Sequence, residues 1–148
     1  MANDATADEA RAYDRPLPQP DPQTQPFWDS LKAHAMQLQR SKSTGAWVYY
    51  PRLVAPGNLE DELEWAPVTG RGTVYAFAIP HVHPHPGFRA LAPYVVALVE
   101  LEEGARILSN LVDVDPTPEA VKIGMPVELV YDDVTEEITL PRFRPSPP

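Results

Sequence analysis

Nineteen of the 148 residues are proline, and their placement limits what this chain can build. Pro16, Pro18, Pro20, Pro22 and Pro26 alternate with other residues near the start. Proline fixes φ and lacks an N–H donor, so this spacing forbids a helix and favours an extended, solvated arm over residues 1–26. The last residues, 145–148, are again proline-rich and read as a tail. Between these ends lies one helix candidate, residues 27–40. There Phe27, Leu31 and Leu38 fall near one face with Ala35 beside them, and Thr24 and Pro26 supply start signals.

From residue 68 onward the pattern changes to strands. The segments GTVYAFAI (72–79), YVVALVEL (94–101), ARILSNLV (105–112), VELVY (127–131) and ITLPRF (138–143) are rich in β-branched and aromatic residues. Glu103-Gly104 marks a tight hairpin between the second and third. The longer link after the third, DPTPEAV (115–121), has room for one helical turn. Five strands with a short helix after the third is the pattern of an OB-fold barrel. Residues 41–67 are less regular, with short strands expected at 46–50 and 62–66. The expected fold is mainly β: arm 1–26, helix 27–40, a small subdomain 41–67, an OB-fold 68–144 and tail 145–148.

Composition narrows the function. The net charge is −9, and Lys and Arg are scattered. A nucleic-acid binder needs a basic patch to neutralise phosphates, so nucleic acid is not the expected partner. No run approaches the roughly 18 apolar residues that span a bilayer, so no membrane is expected. The start, MANDATADEA, lacks the basic and apolar segments of a secretory signal, which gives a cytoplasmic expectation. There is no cysteine, which removes disulfides, thiolate metal ligands and cysteine nucleophiles together.

Several ordered segments carry a family resemblance: Phe27-Trp28, Leu38-Gln39-Arg40, Tyr50-Pro51-Arg52, Leu63-Glu64-Trp65, VTGRGTVY (68–75), PYVVALVEL (93–101), LSNL (108–111) and IGMPV (123–127). Together they resemble DUF35 proteins, which join an N-terminal helix, a rubredoxin-like zinc ribbon and an OB-fold. The resemblance places the four ribbon ligands at Ser41, Thr44, Ala55 and Asn58, none of them a thiolate. It therefore implies a degenerate ribbon without zinc, held by packing of Trp47, Tyr49 and Trp65 or by a partner.

The resemblance also implies a role. Such chains accompany thiolase-like acyl-CoA enzymes of lipid, steroid or aromatic-acid metabolism, including thiolases, thiolase-like aldolases and acyltransferases, and MaoC-like hydratases. The expected function is a non-catalytic accessory subunit that stabilises its partner and helps shape the CoA or acyl entrance. The substrate of the complex is a coenzyme A thioester, this chain binds no cofactor itself, and a two-plus-two complex is implied. Expected contact residues are Phe27, Trp28, Leu31, Trp47, Arg71, His81, His83, His85 and Phe88.

Individual residues allow other readings. Alternating His81, His83 and His85 on a strand would face one way and could hold a metal. Pro80, Pro84 and Pro86 break strand geometry there, which favours a rigid loop anchored by Phe88. Gly70-Arg71-Gly72 starts like a dinucleotide fingerprint, but strands follow where a helix is required. Gly72 instead fits a bulge or a close backbone approach. Trp47, Trp65, Tyr75 and Phe77 could stack on bases in an OB groove, the basis of a nucleic-acid alternative. The third reading is a stand-alone acyl-CoA or metal-binding protein using the 81–85 loop. Asp113, Asp115, Asp132 and Asp133 sit at strand ends, where turn and cap roles are ordinary.

Overall fold

A computed structural model describes residues 13–147. The order of elements is α1 (Gln25–Lys32), β1 (Gln37–Ser41), β2 (Trp47–Val48), β3 (Leu63–Pro67), β4 (Arg71–Ala78), α2 (Pro86–Arg89), β5 (Val95–Leu101), β6 (Arg106–Leu111), β7 (Pro126–Asp133) and β8 (Thr139–Pro145). Strands β4-β5-β6-β8-β7 form a closed barrel, and β2-β1-β3 form a small antiparallel sheet. The protein is mainly β, with a five-stranded OB-like barrel behind an N-terminal helix.

Alternation builds the barrel. Along β5 every second residue is buried, with Val95, Ala97, Val99 and Leu101 inward. Ile107 and Leu111 from β6, Val127 from β7 and Phe143 from β8 meet them in one core. Closure comes from a parallel contact of β6 with β8 at Leu111 and Phe143. Gly72 brings β4 close against β5, since a Cβ there would collide with the Glu100 carbonyl. The β-bulge lies farther along, between Val74 and Ala76. At Gly104, φ of 106° permits the hairpin in which the Gly104 N–H reaches the Leu101 carbonyl.

The helix is shorter than its periodicity suggests. The expected span 27–40 ends at Lys32, and Gln37–Ser41 is a strand paired with β3. The cause is a Schellman motif. His34 takes φ of 54°, its N–H bonds the Leu31 carbonyl, and the Ala35 N–H bonds the Ser30 carbonyl. At the other end Asp21 and Thr24 exchange hydrogen bonds, the Asp21 N–H to Thr24 Oγ1 at 3.0 Å and the Thr24 N–H to Asp21 Oδ1 at 2.9 Å.

Three further expectations differ. Of the arm, residues 1–12 lie outside the described residues. From residue 13 onward it is attached: Arg15 packs over Phe88, and Gln23 Nε2 donates to the Pro51 carbonyl at 2.8 Å. The tail begins later than expected, because Pro145 still pairs with Val127 in β8. The link after β6 forms only turns, one of them closed by the Val121 N–H on the Thr117 carbonyl, and the short helix sits after β4 as α2.

Candidate functional site

The small sheet presents one candidate surface. Its two turns occupy the degenerate ribbon positions. In the first, the Ser41 hydroxyl accepts the Thr44 N–H at 3.1 Å and donates to the Asp61 carboxylate. In the second, Ala55 and Asn58 form an isolated bridge. Asp61 joins the two: its N–H reaches the Asn58 carbonyl at 3.3 Å and its carboxylate also accepts the Ser43 N–H. Those hydrogen bonds, from Ser41 first and then Ser43, hold the Asp61 carboxyl below its ordinary range. The donor set does not fit zinc. Two hydroxyls, an amide and a methyl group offer no thiolate, and the Ser41 hydroxyl is committed to Asp61.

Beside these turns lies an apolar groove of about 560 Å³, bordered by Tyr50, Pro51, Leu53, Val54 and Leu59. Leu53 and Leu59 are 79% and 81% exposed, unusual for large aliphatic side chains. Sequence reasoning missed both, because no periodicity marks an exposed leucine in a loop.

The residues expected to make contacts divide into two groups. Phe27 and Leu31 are 1% and 0% exposed and belong to the core, so they are unavailable to a partner. Their face of α1 packs inward, and Phe27 sits edge-on to Trp28, Tyr49 and Tyr50 with ring centroids 5.1, 5.8 and 6.0 Å away. Trp28 is half-buried, and its indole N–H has no partner among the described residues. Trp47 is half-buried beneath the Arg40 guanidinium, 5.3 Å from the ring centroid. Arg71 is exposed and faces Glu102 at 3.3 Å.

The 79–94 loop is held by its own histidines. His83 Nδ1 accepts the His85 N–H at 3.0 Å, and His85 Nδ1 accepts the Gly87 N–H at 3.1 Å, capping α2. An accepting Nδ1 leaves the proton on Nε2 in the neutral ring. Phe88 lies against both rings at 4.7 and 5.7 Å. His81 points to solvent. The three imidazoles do not converge, and among the described residues no cluster of three or more His, Asp or Glu side chains could hold a metal.

The carboxylates take structural roles. Asp132 pairs with Arg142 at 3.2 Å. Asp133 accepts hydrogen bonds from Thr139 and from His34 Nε2, which lower its carboxyl below the ordinary value, Thr139 contributing most. His34 also stacks on Tyr131 with centroids 4.7 Å apart. Arg40, Arg106 and Arg144 are paired with Glu64, Glu100 and Glu128, so the arginines of the sheets form no unneutralised basic stripe. Among the described residues no helix is long and apolar enough to cross a membrane.

Comparison with known proteins adds a separate line of observation. The family described as "ChsH2, C-terminal OB-fold domain" matches residues 65–132. A "DUF35 domain-containing scaffold protein" of Methanocaldococcus jannaschii is 43% identical over 66% of this chain and 68% of its own length. A "Probable enoyl-CoA hydratase alpha subunit" of Thermomonospora curvata is 37% identical over 82% of this chain, which spans only 37% of that larger protein. Among solved structures, a chain of the "Ltp2-ChsH2(DUF35) aldolase" superposes with a TM-score of 0.76 at 34% identity, covering 87% of this chain and 98% of that one.

Proposed function

This chain belongs to the DUF35 family, and from that premise we propose that it is a non-catalytic accessory subunit of a thiolase-like acyl-CoA enzyme. The observation that carries the reading is the likeness to a chain of the Ltp2-ChsH2(DUF35) aldolase along 98% of that chain's length. The partner, a thiolase, aldolase or acyltransferase, supplies the nucleophile and acts on a coenzyme A thioester. This chain stabilises the partner and lines the CoA or acyl entrance, in a two-plus-two complex in the cytoplasm. The hydratase name of the Thermomonospora relative supports a MaoC-like hydratase as a second associate.

The geometry favours a docking role over chemistry in this chain. His83 and His85 have Nδ1 committed to backbone N–H groups. The apolar groove at Leu53 and Leu59 offers surface that a partner subunit would cover, since contiguous exposed apolar patches mark interaction sites. Trp47, Arg71 and His81 extend the candidate contact set, whereas Phe27 and Leu31 do not.

The test is affinity capture of the tagged full chain from its native cell, with captured chains identified and quantified by mass spectrometry. A thiolase-like chain in stoichiometric amount is the expected result. In the Leu53→Asp, Leu59→Asp variant the capture should be lost while the melting temperature is unchanged. Capture of no acyl-CoA enzyme would refute the proposal.

A further inference from the structure

A second cavity, of about 240 Å³, opens where the 79–94 loop meets the ends of β6, β7 and β8. One wall is apolar, made by Phe88, Leu91 and Tyr94. Asn110, Asp132 and Arg142 add polar groups beside Leu111 and Val112, and Arg15 of the arm completes the lining. The loop after the first barrel strand, one of the loops with which OB-folds take ligands, supplies Phe88, Leu91 and Tyr94 to this cavity.

Charge and hydrogen-bonding capacity define what fits. Two guanidiniums and one carboxylate line the space, and a second carboxylate, Asp14, lies against Arg15 outside the lining. The Asp132 carboxylate is already engaged by Arg142 Nε at 3.2 Å. Arg142 Nη1 donates to Asn110 Oδ1, which fixes the side chain and leaves Nη2 uncommitted among the described residues. Arg15 Nε is buried and has no hydrogen-bond partner there, and its nearest carboxylate oxygen, on Asp14, is 3.8 Å away. Native proteins seldom leave a buried charged donor unsatisfied. A ligand oxygen seated between the two arginines would complete both. The volume lies below the roughly 300–1,000 Å³ of drug-sized sites, which excludes a whole nucleotide and selects a compact molecule.

We propose that this cleft binds a small organic anion, with a flat apolar body against Phe88, Leu91 and Tyr94 and a carboxylate or phosphate head between Arg15 and Arg142. The site is distinct from the groove at Leu53 and Leu59, and its occupancy does not depend on a partner enzyme.

Calorimetric titration of the isolated full chain with benzoate and with phenyl phosphate tests this, with inorganic phosphate as a head-only control. At least one aromatic probe should bind and inorganic phosphate should bind more weakly. Which aromatic probe is preferred separates a carboxylate ligand from a phosphate one. Arg15→Ala removes an arm guanidinium and should weaken binding by about tenfold or more, the loss of a charge-assisted contact. Leu91→Trp fills the cavity from an exposed position and should abolish it. Leu91→Trp should melt as the parent does. Absence of heat with both aromatic probes titrated to about 10 mM, roughly tenfold above the concentration that half-fills a site of about 1 mM affinity, overturns the proposal. So does binding unchanged in both variants.

Discussion

The hydroxyl of Tyr131 makes one bond whose removal should be felt across the molecule. It accepts the Met36 N–H at 2.8 Å, tying the segment between α1 and β1 to strand β7 of the barrel. Met36 is 1% exposed, so its amide has no route to water when that acceptor is lost. In Tyr131→Phe the ring and its stacking on His34 remain, and no core volume changes. The cost is then that of an orphaned buried donor, about 1–3 kcal/mol. In a chain of this size each kcal/mol lowers the melting temperature by about 2–4 °C. Urea unfolding should report the loss as a lower midpoint with an unchanged slope. Amide hydrogen exchange should report it locally, with faster exchange at Met36. A variant with parental stability and a still-protected Met36 amide would refute the argument, because the donor would then have another partner.

Other expectations follow from the same geometry. Gly72→Ala drives a methyl group into the Glu100 carbonyl and should cost about 1–3 kcal/mol in chemical denaturation. Burial pushes the Tyr49 hydroxyl up to about 12 from an ordinary 10.0. The folded state then keeps its proton longer than the unfolded state, so stability should fall as pH rises between those values. The slope is at most about 1.4 kcal/mol per pH unit, and Tyr49→Phe should flatten it in alkaline denaturation curves. For Asp61 the sign is opposite: its lowered carboxyl contributes above the ordinary carboxylate range and loses that contribution as pH falls through the depressed value. Asp61→Asn should therefore show a weaker acid dependence of unfolding than the parent, and an equal dependence would dismiss the link between the turns.

Much of the barrel was legible because its signal is local. The alternation in VVALVEL places Val95, Ala97, Val99 and Leu101 inward without any tertiary knowledge, and Glu103-Gly104 announces its own turn. The end of α1 was not legible. Helical spacing continues to Leu38, and only the left-handed conformation of His34, held by Asp133 from 99 residues away, stops it. The same limit hid the anion cleft. Arg15, Asn110 and Arg142 sit in three distant segments, and nothing in their own neighbourhoods marks them as a set. The histidine segment was legible as a proline-broken loop, and what the sequence did not show is where the rings go. Their spacing is that of a metal site on a strand, but prolines at 80, 84 and 86 turn the backbone so that the rings cap N–H groups instead.

The closed order of the barrel bears on how anything can recognise it. With β7 bonded to both β4 and β8, and β6 to β5 and β8, the barrel shows no open strand to extend. A binding protein cannot zip onto it through main-chain hydrogen bonds, the mode that tolerates almost any sequence. Recognition there has to be written in side chains and loops. Barrels of this kind with different surfaces would thus not cross-pair through their own backbones, and in this chain main-chain pairing is left to β2 and β3, the edge strands of the small sheet.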